Sequence, residues 1–186
     1  MPSSHHAHIV DALDFVRRIN PMSVLDIGIG YGRWGFLFRE FLDVIQGRLD
    51  ACDWKTRIDG IEIWEPYIGD YHRYIYDSIY IDNIVFFVDK MENYDLIFMG
   101  DVLEHISKGA ATAVLDKLFN KCKYLLLNIP IGKAWLKQGA LFGNPYETHV
   151  SAWEPQDFVK YSMQCPPKSY ICNGKPIIFY IFRGAL

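Results

Sequence analysis

Apolar and polar positions alternate between helical and strand spacing along most of the chain. Residues 8–20 place apolar side chains three and four positions apart, which predicts a helix that Pro21 ends. Ser23–Ile27 is a short apolar run typical of a buried strand. Residues 33–46 repeat the helical spacing, and Gly47 stands where that helix is predicted to end.

The same alternation continues through the middle of the chain. It predicts, in order, a strand over 57–63, a helical stretch from Glu65-Pro66, strands near 78–81 and over 95–99, a helix from Ser107 to about 121 and a strand over 124–129. Strands that alternate with helices predict βαβ units, and hence a parallel sheet with right-handed crossovers.

The end of the chain departs from this rhythm. Two strand-like runs, 169–172 and 176–182, flank Asn173-Gly174. This dipeptide is the strongest short-range signal for a β-hairpin, so the last strand is predicted to run antiparallel to its neighbours.

Composition narrows the classes of protein that fit. The chain has 186 residues, which suits one domain, and its formal charge of −3 gives no general attraction to nucleic acids or anionic membranes. No apolar run is long enough to span a bilayer, and the four cysteines lack the spacing of a metal or redox motif. We therefore expect a cytoplasmic protein with buried thiols, without a membrane or nucleic acid partner.

The glycine-rich segment from Asp26 to Gly35 joins the first strand to the second helix. Gly30-x-Gly32-x-x-Gly35 fits the dinucleotide fingerprint, so an NAD-dependent oxidoreductase is one reading. Two acids favour another nucleotide. The Asp26 carboxylate would repel a pyrophosphate and attract an ammonium group, and Glu62, at the end of the next strand, can accept hydrogen bonds from ribose hydroxyls.

These motifs together resemble the class I S-adenosylmethionine-dependent methyltransferases. The resemblance comprises D-x-G-x-G-x-G after the first strand, the acid after the second, and the segment from Tyr94 to Ile106, Y-D-L-I-F-M-G-D-V-L-E-H-I; it spans roughly residues 23–158. It implies one methyltransferase domain over 1–186, with an N-terminal helix in 1–21. The implied fold is a Rossmann-like, doubly wound, mostly parallel seven-stranded α/β sheet with a C-terminal antiparallel hairpin.

The resemblance also implies a cofactor and the residues that hold it. S-adenosylmethionine would contact Asp26, Gly28, Gly30 and Gly32 with its methionine part, Glu62 with its ribose, and Ile63, Asp82 and Asn83 with its adenine, while Met99, Gly100 and Asp101 line it beside the fourth strand. Asp77 and Asp89 are rivals to Asp82 by spacing. The product would be S-adenosylhomocysteine.

His105 and His149 are the candidate general bases, because histidine titrates near neutral pH. His105 could instead make local hydrogen bonds where the helix begins, and His149 could pack within its loop. Residues 131–150 are predicted to form a lid over the acceptor site. No ligand cluster is recognisable, so no functional metal is predicted, although His5, His6 and His8 could bind one adventitiously.

The expected reaction is methyl transfer to an oxygen or nitrogen of a small-molecule or sugar acceptor. Gly100-Asp101-Val102-Leu103 stands where enzymes that methylate base amino groups carry an N-P-P-Y-type tetrapeptide, which argues against that acceptor. The alternatives are a non-catalytic module that binds S-adenosylmethionine or S-adenosylhomocysteine and, less favoured, the NAD-dependent oxidoreductase.

Overall fold

A seven-stranded sheet with helices on both faces makes up the structure, a computed structural model that describes residues 4–186. The strands are β1 (Ser23–Ile27), β2 (Arg57–Glu62), β3 (Ser78–Ile81), β4 (Tyr94–Gly100), β5 (Cys122–Pro130), β6 (Lys168–Cys172) and β7 (Lys175–Arg183). The helices are α1 (Ile9–Ile19), α2 (Arg33–Leu42), α3 (Asp70–Ile75), α4 (Ile84–Phe87) and α5 (Lys108–Leu118).

The strand order is β3-β2-β1-β4-β5-β7-β6, and neighbours from β3 to β5 pair in parallel. β7 lies between β5 and β6 and is antiparallel to both. The turn between β6 and β7 has Asn173 at φ 49° and Gly174 at φ 73°, the two positive values that a tight type I′ hairpin needs. The predicted fold class is confirmed, including its antiparallel hairpin.

Alternating side chains of the central strands supply two cores. On one face, Leu25 and Ile27 pack with residues of α4 and α5. On the other, Val24 packs with α1 and α2, together with Ile75 of α3. The strands are buried on both faces, which explains why they read as continuous apolar runs in the sequence.

The second helix is shorter than predicted. α2 ends at Leu42, and a separate 3₁₀ turn covers Val44–Gln46. The reason is Asp43, which is fully buried and whose carboxylate accepts hydrogen bonds from Arg39, from Arg48 and from the backbone N–H of Lys55, each at 2.8 Å. This buried acid fixes the loop that leads into β2.

Two further differences concern short helical segments. The pattern did not predict α4, a four-residue helix in which the Asn83 side chain accepts a hydrogen bond from the backbone N–H of Val85. In the predicted N-terminal helical region, a 3₁₀ turn over His6–His8 precedes α1. Residues 1–3 of that region lie outside the described residues.

The expectation of buried thiols was wrong for three of the four cysteines. All four are free: Cys122 is buried, Cys172 is half-buried, and Cys52 and Cys165 are exposed. Within residues 4–186, no helix combines the length and the apolar character that crossing a membrane requires.

Candidate cofactor and acceptor site

A cavity of about 570 Å³ opens at the carboxyl ends of the parallel strands. It lies at the point where the strand order reverses between β1 and β4, the position where open α/β sheets bind ligands. Gly28, Gly30 and Glu62 line one part of it, and His105 and His149 line another. Its volume suits a nucleoside-sized ligand with room for a second small molecule.

The glycine loop after β1 approaches this cavity with its backbone. Gly28 has φ +79°, and a Cβ atom there would come within 2.5 Å of Val102 Cγ2, so a larger residue is excluded. The backbone N–H of Gly28 donates to Ile61 O at 2.9 Å, and that of Gly30 donates to Glu62 Oε2 at 2.9 Å. These two amides are therefore engaged within the protein rather than offered to an anionic ligand.

Glu62 ends β2 and faces the cavity although it is only 5% exposed. Its Oε1 accepts the backbone N–H of Trp64 at 2.9 Å, which together with the bond from Gly30 fixes its orientation. Burial raises the pKa of Glu62, and these two backbone donors oppose the rise. A carboxylate has about four acceptor sites, so lone pairs remain for a ligand.

Asp26 occupies a different place from the one expected. Its side chain lies on the face of β1 that carries Val24, is 1% exposed, and accepts a hydrogen bond from Tyr76 Oη at 2.5 Å. Burial raises its pKa to about 7. Asp26 is absent from the described residues that line the cavity and supports the loop from behind, which favours another residue for the predicted contact with the methionine part of a cofactor.

Two side chains of the α3 region that the sequence did not single out brace the loop. Tyr76 Oη accepts the backbone N–H of Gly35 at 3.1 Å while it donates to Asp26. His72 is fully buried, with Nε2 3.1 Å from Gly30 O. The only sequence signal for them is their i, i+4 spacing, which places both on one side of a helix.

Asp101 is the carboxylate that faces the cavity beside the glycine loop. It has a positive φ of 55°, accepts the Asn128 Nδ2 amide at 2.6 Å and accepts the backbone N–H of His5 at 3.0 Å. Burial raises its pKa to about 6. Asp101 and Gly100 both line the cavity, as the sequence led us to expect of their position.

The predicted adenine end lies beyond β3. Ile63, Asp82 and Asn83 line the cavity there, and the Asp82 side chain pairs with Lys90 at 2.5 Å. Both rival acids lie elsewhere: Asp77 pairs with Arg39 at 3.0 Å, and Asp89 is an exposed partner of Lys117.

Gly32 and Met99 are placed outside the cavity lining of the described chain. Gly32 has φ +74° and precedes α2, where an added Cβ would meet the His72 ring at 2.8 Å. Met99 is fully buried in the core on the α5 side of the sheet. In this structure Gly32 shapes the turn before α2 and Met99 packs in the core, while their contact with a cofactor stays a prediction.

Three side chains gather at the side of the cavity that is predicted to hold the acceptor. Glu104, His105 and His149 each have a ligating atom within 4.8 Å of the others, which the sequence spacing did not reveal. Burial raises the pKa of Glu104 well above its usual value and lowers that of His149 to about 4. Glu104 Oε1 lies 4.0 Å from His149 Nε2.

The segment predicted as a lid forms one wall of this acceptor side. It contains two 3₁₀ turns, Lys133–Lys137 and Pro145–Glu147. Trp135, Phe142 and Tyr146 line the cavity from it, with the amides of Gln138 and Asn144. Phe142 is 60% exposed, so it is not a core packing residue.

No family model matches the chain, and no curated protein matches it. Its fold is that of the class I S-adenosylmethionine-dependent methyltransferases, as solved structures show. The N-terminal domain of EvdMO1, solved in the presence of S-adenosylhomocysteine and D-fucose, has a TM-score of 0.66 and 13% identity, covering 98% of this chain and 85% of that one.

Two bacterial enzymes give similar agreement. The magnesium protoporphyrin IX methyltransferase of Synechocystis PCC 6803, with S-adenosylhomocysteine bound, has a TM-score of 0.64 and 16% identity over 95% of this chain and 82% of that one. The N-methyltransferase NodS of Bradyrhizobium japonicum WM9 has a TM-score of 0.63 and 12% identity over 96% and 97%. At identities this low, the structural comparisons establish the shared fold alone.

Proposed function

We propose that this protein is an S-adenosylmethionine-dependent methyltransferase. The observation that carries the proposal is the pair of cavity-facing carboxylates, Glu62 and Asp101, on either side of the glycine loop. Glu62 suits the two ribose hydroxyls. Asp101 suits the ammonium group of the methionine part, a role that the sequence analysis assigned to Asp26. The fold shared with methyltransferases supports the same conclusion.

The hydrogen bonds of the glycine loop oppose the dinucleotide alternative. A pyrophosphate in a Rossmann site is held by backbone N–H groups at the start of a helix. Here the amides of Gly28, Gly30 and Gly32 donate instead to Ile61 O, to the Glu62 carboxylate and to Ile29 O. With two carboxylates beside them, these positions favour a cation over a diphosphate.

Catalysis of this reaction depends more on the position of the acceptor nucleophile than on its chemical activation. A lone pair of the acceptor attacks the methyl carbon, the C–S bond breaks with its electrons moving to sulfur, and neutral S-adenosylhomocysteine leaves. Holding the nucleophile about 3–3.5 Å from the methyl carbon in line with the C–S bond can lower the barrier by ~7–11 kcal/mol. His149 and His105 are the candidate groups to take the acceptor's proton.

The acceptor we propose is a small hydroxylated molecule such as a sugar. Rings of Trp135, Phe142 and Tyr146 line the acceptor side and can stack on its apolar faces. The amides of Gln138 and Asn144 lie at the same side and can bond its hydroxyls. The presence of D-fucose with the EvdMO1 domain fits this class of acceptor.

Calorimetric titration with S-adenosylhomocysteine and with NAD tests the proposed function. We expect S-adenosylhomocysteine to bind with a Kd in the micromolar range, about −8 kcal/mol, and NAD to give no heat of binding. The Glu62→Gln variant should bind S-adenosylhomocysteine at least about tenfold more weakly, because an amide cannot accept from both ribose hydroxyls while it also serves Gly30 and Trp64.

Two further acids, one inside the cavity and one outside it, provide a comparison for this experiment. Asp82→Asn should weaken binding several-fold, whereas Asp89→Asn, which changes an exposed acid away from the cavity, should leave it unchanged. Binding of NAD by a wild-type protein that ignores S-adenosylhomocysteine would overturn the proposal.

A further inference from the structure

The acceptor side of the cavity contains a set of side chains with the chemistry of a metal site. Glu104 offers a carboxylate oxygen, and His105 and His149 each offer a ring nitrogen, all within 4.8 Å of one another. A carboxylate and two imidazoles are ligands that zinc and neighbouring divalent cations take in catalytic sites. All three residues line the cavity, so a cation among them would be reachable from it.

Two atoms of this set are buried without any hydrogen-bond partner in the described part of the chain. They are Glu104 Oε2 and His149 Nδ1, in side chains that are 2% and 5% exposed. A buried polar atom with no partner is costly, and native proteins leave few of them. Oε2 belongs to the carboxylate whose Oε1 lies 4.0 Å from His149 Nε2, so a cation bound by this carboxylate would satisfy an atom that the protein itself leaves unpaired.

The third side chain is oriented as a metal ligand requires. His105 Nδ1 lies 3.2 Å from Thr148 O, and because a carbonyl only accepts, this nitrogen carries the proton. Nε2 of His105 is then the bare nitrogen, free to ligate. A hydrogen bond from the second ring nitrogen to a carbonyl is the usual way in which proteins fix a ligating histidine.

The backbone ties the two segments that supply these ligands. The carbonyl oxygen of Glu104 accepts the backbone N–H groups of Val150 at 2.8 Å and Ser151 at 3.0 Å. The N–H of His149 donates to Gln138 O at 3.1 Å. These backbone hydrogen bonds therefore hold the two segments that carry the three ligands next to each other.

We propose that Glu104, His105 and His149 form a binding site for one divalent first-row transition-metal ion, with Zn²⁺ as its representative. Bonds of about 2.0–2.2 Å place ligand atoms roughly 3–4 Å apart, so side chains whose ligand atoms are up to 4.8 Å apart need to close by roughly 1–2 Å. Three protein ligands leave a coordination position open toward the cavity.

That open position gives the site a role in methyl transfer, which rests on the proposed function. An acceptor hydroxyl bound to the cation loses its proton to solvent more readily, because the cation stabilises the alkoxide. The oxygen lone pair then attacks the methyl carbon, and the C–S electrons remain on sulfur. In this role the two histidines are ligands rather than general bases.

Titration of dialysed, tag-free protein with ZnCl₂ alone tests the site without cofactor or acceptor. We expect one equivalent to bind with a Kd of roughly micromolar or lower. Glu104→Gln and His149→Ala should each weaken binding at least about tenfold. The visible absorption of Co²⁺ bound in place of Zn²⁺ should be lost in the same two variants, whose thermal unfolding confirms that they fold.

Two controls separate this site from others. Glu147→Gln removes a carboxylate that lines the same cavity outside the cluster, and the double variant His5→Ala/His6→Ala removes the terminal histidines. Both should bind Zn²⁺ as the wild type does. The proposal is overturned by a wild type that binds no Zn²⁺, by unchanged affinity in either Glu104→Gln or His149→Ala, or by loss of binding in the double variant.

The metal and cofactor titrations distinguish a failure of the metal site from a failure of the proposed function. Binding of S-adenosylhomocysteine without Zn²⁺ would refute the metal site and leave the proposed function standing. Binding of Zn²⁺ without S-adenosylhomocysteine would do the reverse.

Discussion

His8 shows how a single polar side chain can be held inside an aromatic core. It is fully buried between the rings of Trp34, Phe98 and Phe179, and neither ring nitrogen has a hydrogen-bond partner among the described residues. Burial lowers its pKa to about 3. The folded protein therefore keeps this imidazole neutral under conditions in which the unfolded chain would protonate it.

The free energy of unfolding should consequently depend on pH through His8. The unfolded residue titrates near pH 6.5 and the folded one near 3, so its contribution is fully present above about pH 6.5 and is lost as the pH falls toward 3. Replacing it by His8→Leu removes this dependence. The stability of the variant relative to the wild type should rise by about 2 kcal/mol between pH 7.5 and pH 5.

Denaturant unfolding of both proteins at the two pH values measures this change. His6→Leu is the matched control, because His6 is an exposed histidine of the same turn. A stability difference for His8→Leu that does not vary with pH would contradict the account.

The acidic residues of the site show which positions can be predicted from a sequence and which cannot. The sequence predicted Glu62, Asp82 and Asp101 at the ligand-binding edge, because each stands at the end of a strand or directly after it and such residues meet at one edge of a parallel sheet. It did not predict that Asp26 lies outside the cavity lining of the described chain. Side chains alternate across a strand, so the side of the sheet that Asp26 faces depended on its register within β1, and a hydrogen bond from the distant Tyr76 completes its environment.

Among the elements, α3 supports the glycine loop from behind. The hydroxyl of Tyr76, the residue that follows α3, joins the backbone N–H of Gly35 in α2 to the carboxylate of Asp26 in β1. Three elements thus share one buried hydroxyl. The position of the loop that lines the cavity depends on this contact.

Removing that hydroxyl with Tyr76→Phe should lower the free energy of unfolding by ~1–3 kcal/mol, because a buried N–H and a buried carboxylate lose their partner. Affinity for S-adenosylhomocysteine should fall as well, since the loop is no longer braced. Denaturant unfolding and calorimetry measure the two effects. Tyr74→Phe, which changes an exposed tyrosine within α3, is the control, and equal effects of the two variants would refute the bracing role.

The sequence predicted most elements, but it extended one helix too far and missed another. Apolar periodicity located every strand to within about two residues, since buried parallel strands are continuous apolar runs. It extended α2 past Asp43, because the buried partners of that acid, Arg48 and Lys55, follow it in a loop. It missed α4, whose four apolar residues are too few to show a helical period.

For the whole molecule, the order of strands determines which residues meet. The sequence predicted the doubly wound sheet and its hairpin from local signals, and with them the edge at which a ligand would bind. It did not predict that Glu104, His105 and His149 converge. His149 lies in the irregular segment 131–150, whose path back to the cavity cannot be read from local sequence signals. Only the folded chain brings that segment to Glu104.

A structure of the complex with S-adenosylhomocysteine would show where the nucleoside lies. We expect both ribose hydroxyls within hydrogen-bond distance of the Glu62 carboxylate and the ammonium group beside Asp101. A bound nucleoside with Glu62 turned away from its ribose, or a ligand seated outside this cavity, would contradict this expectation.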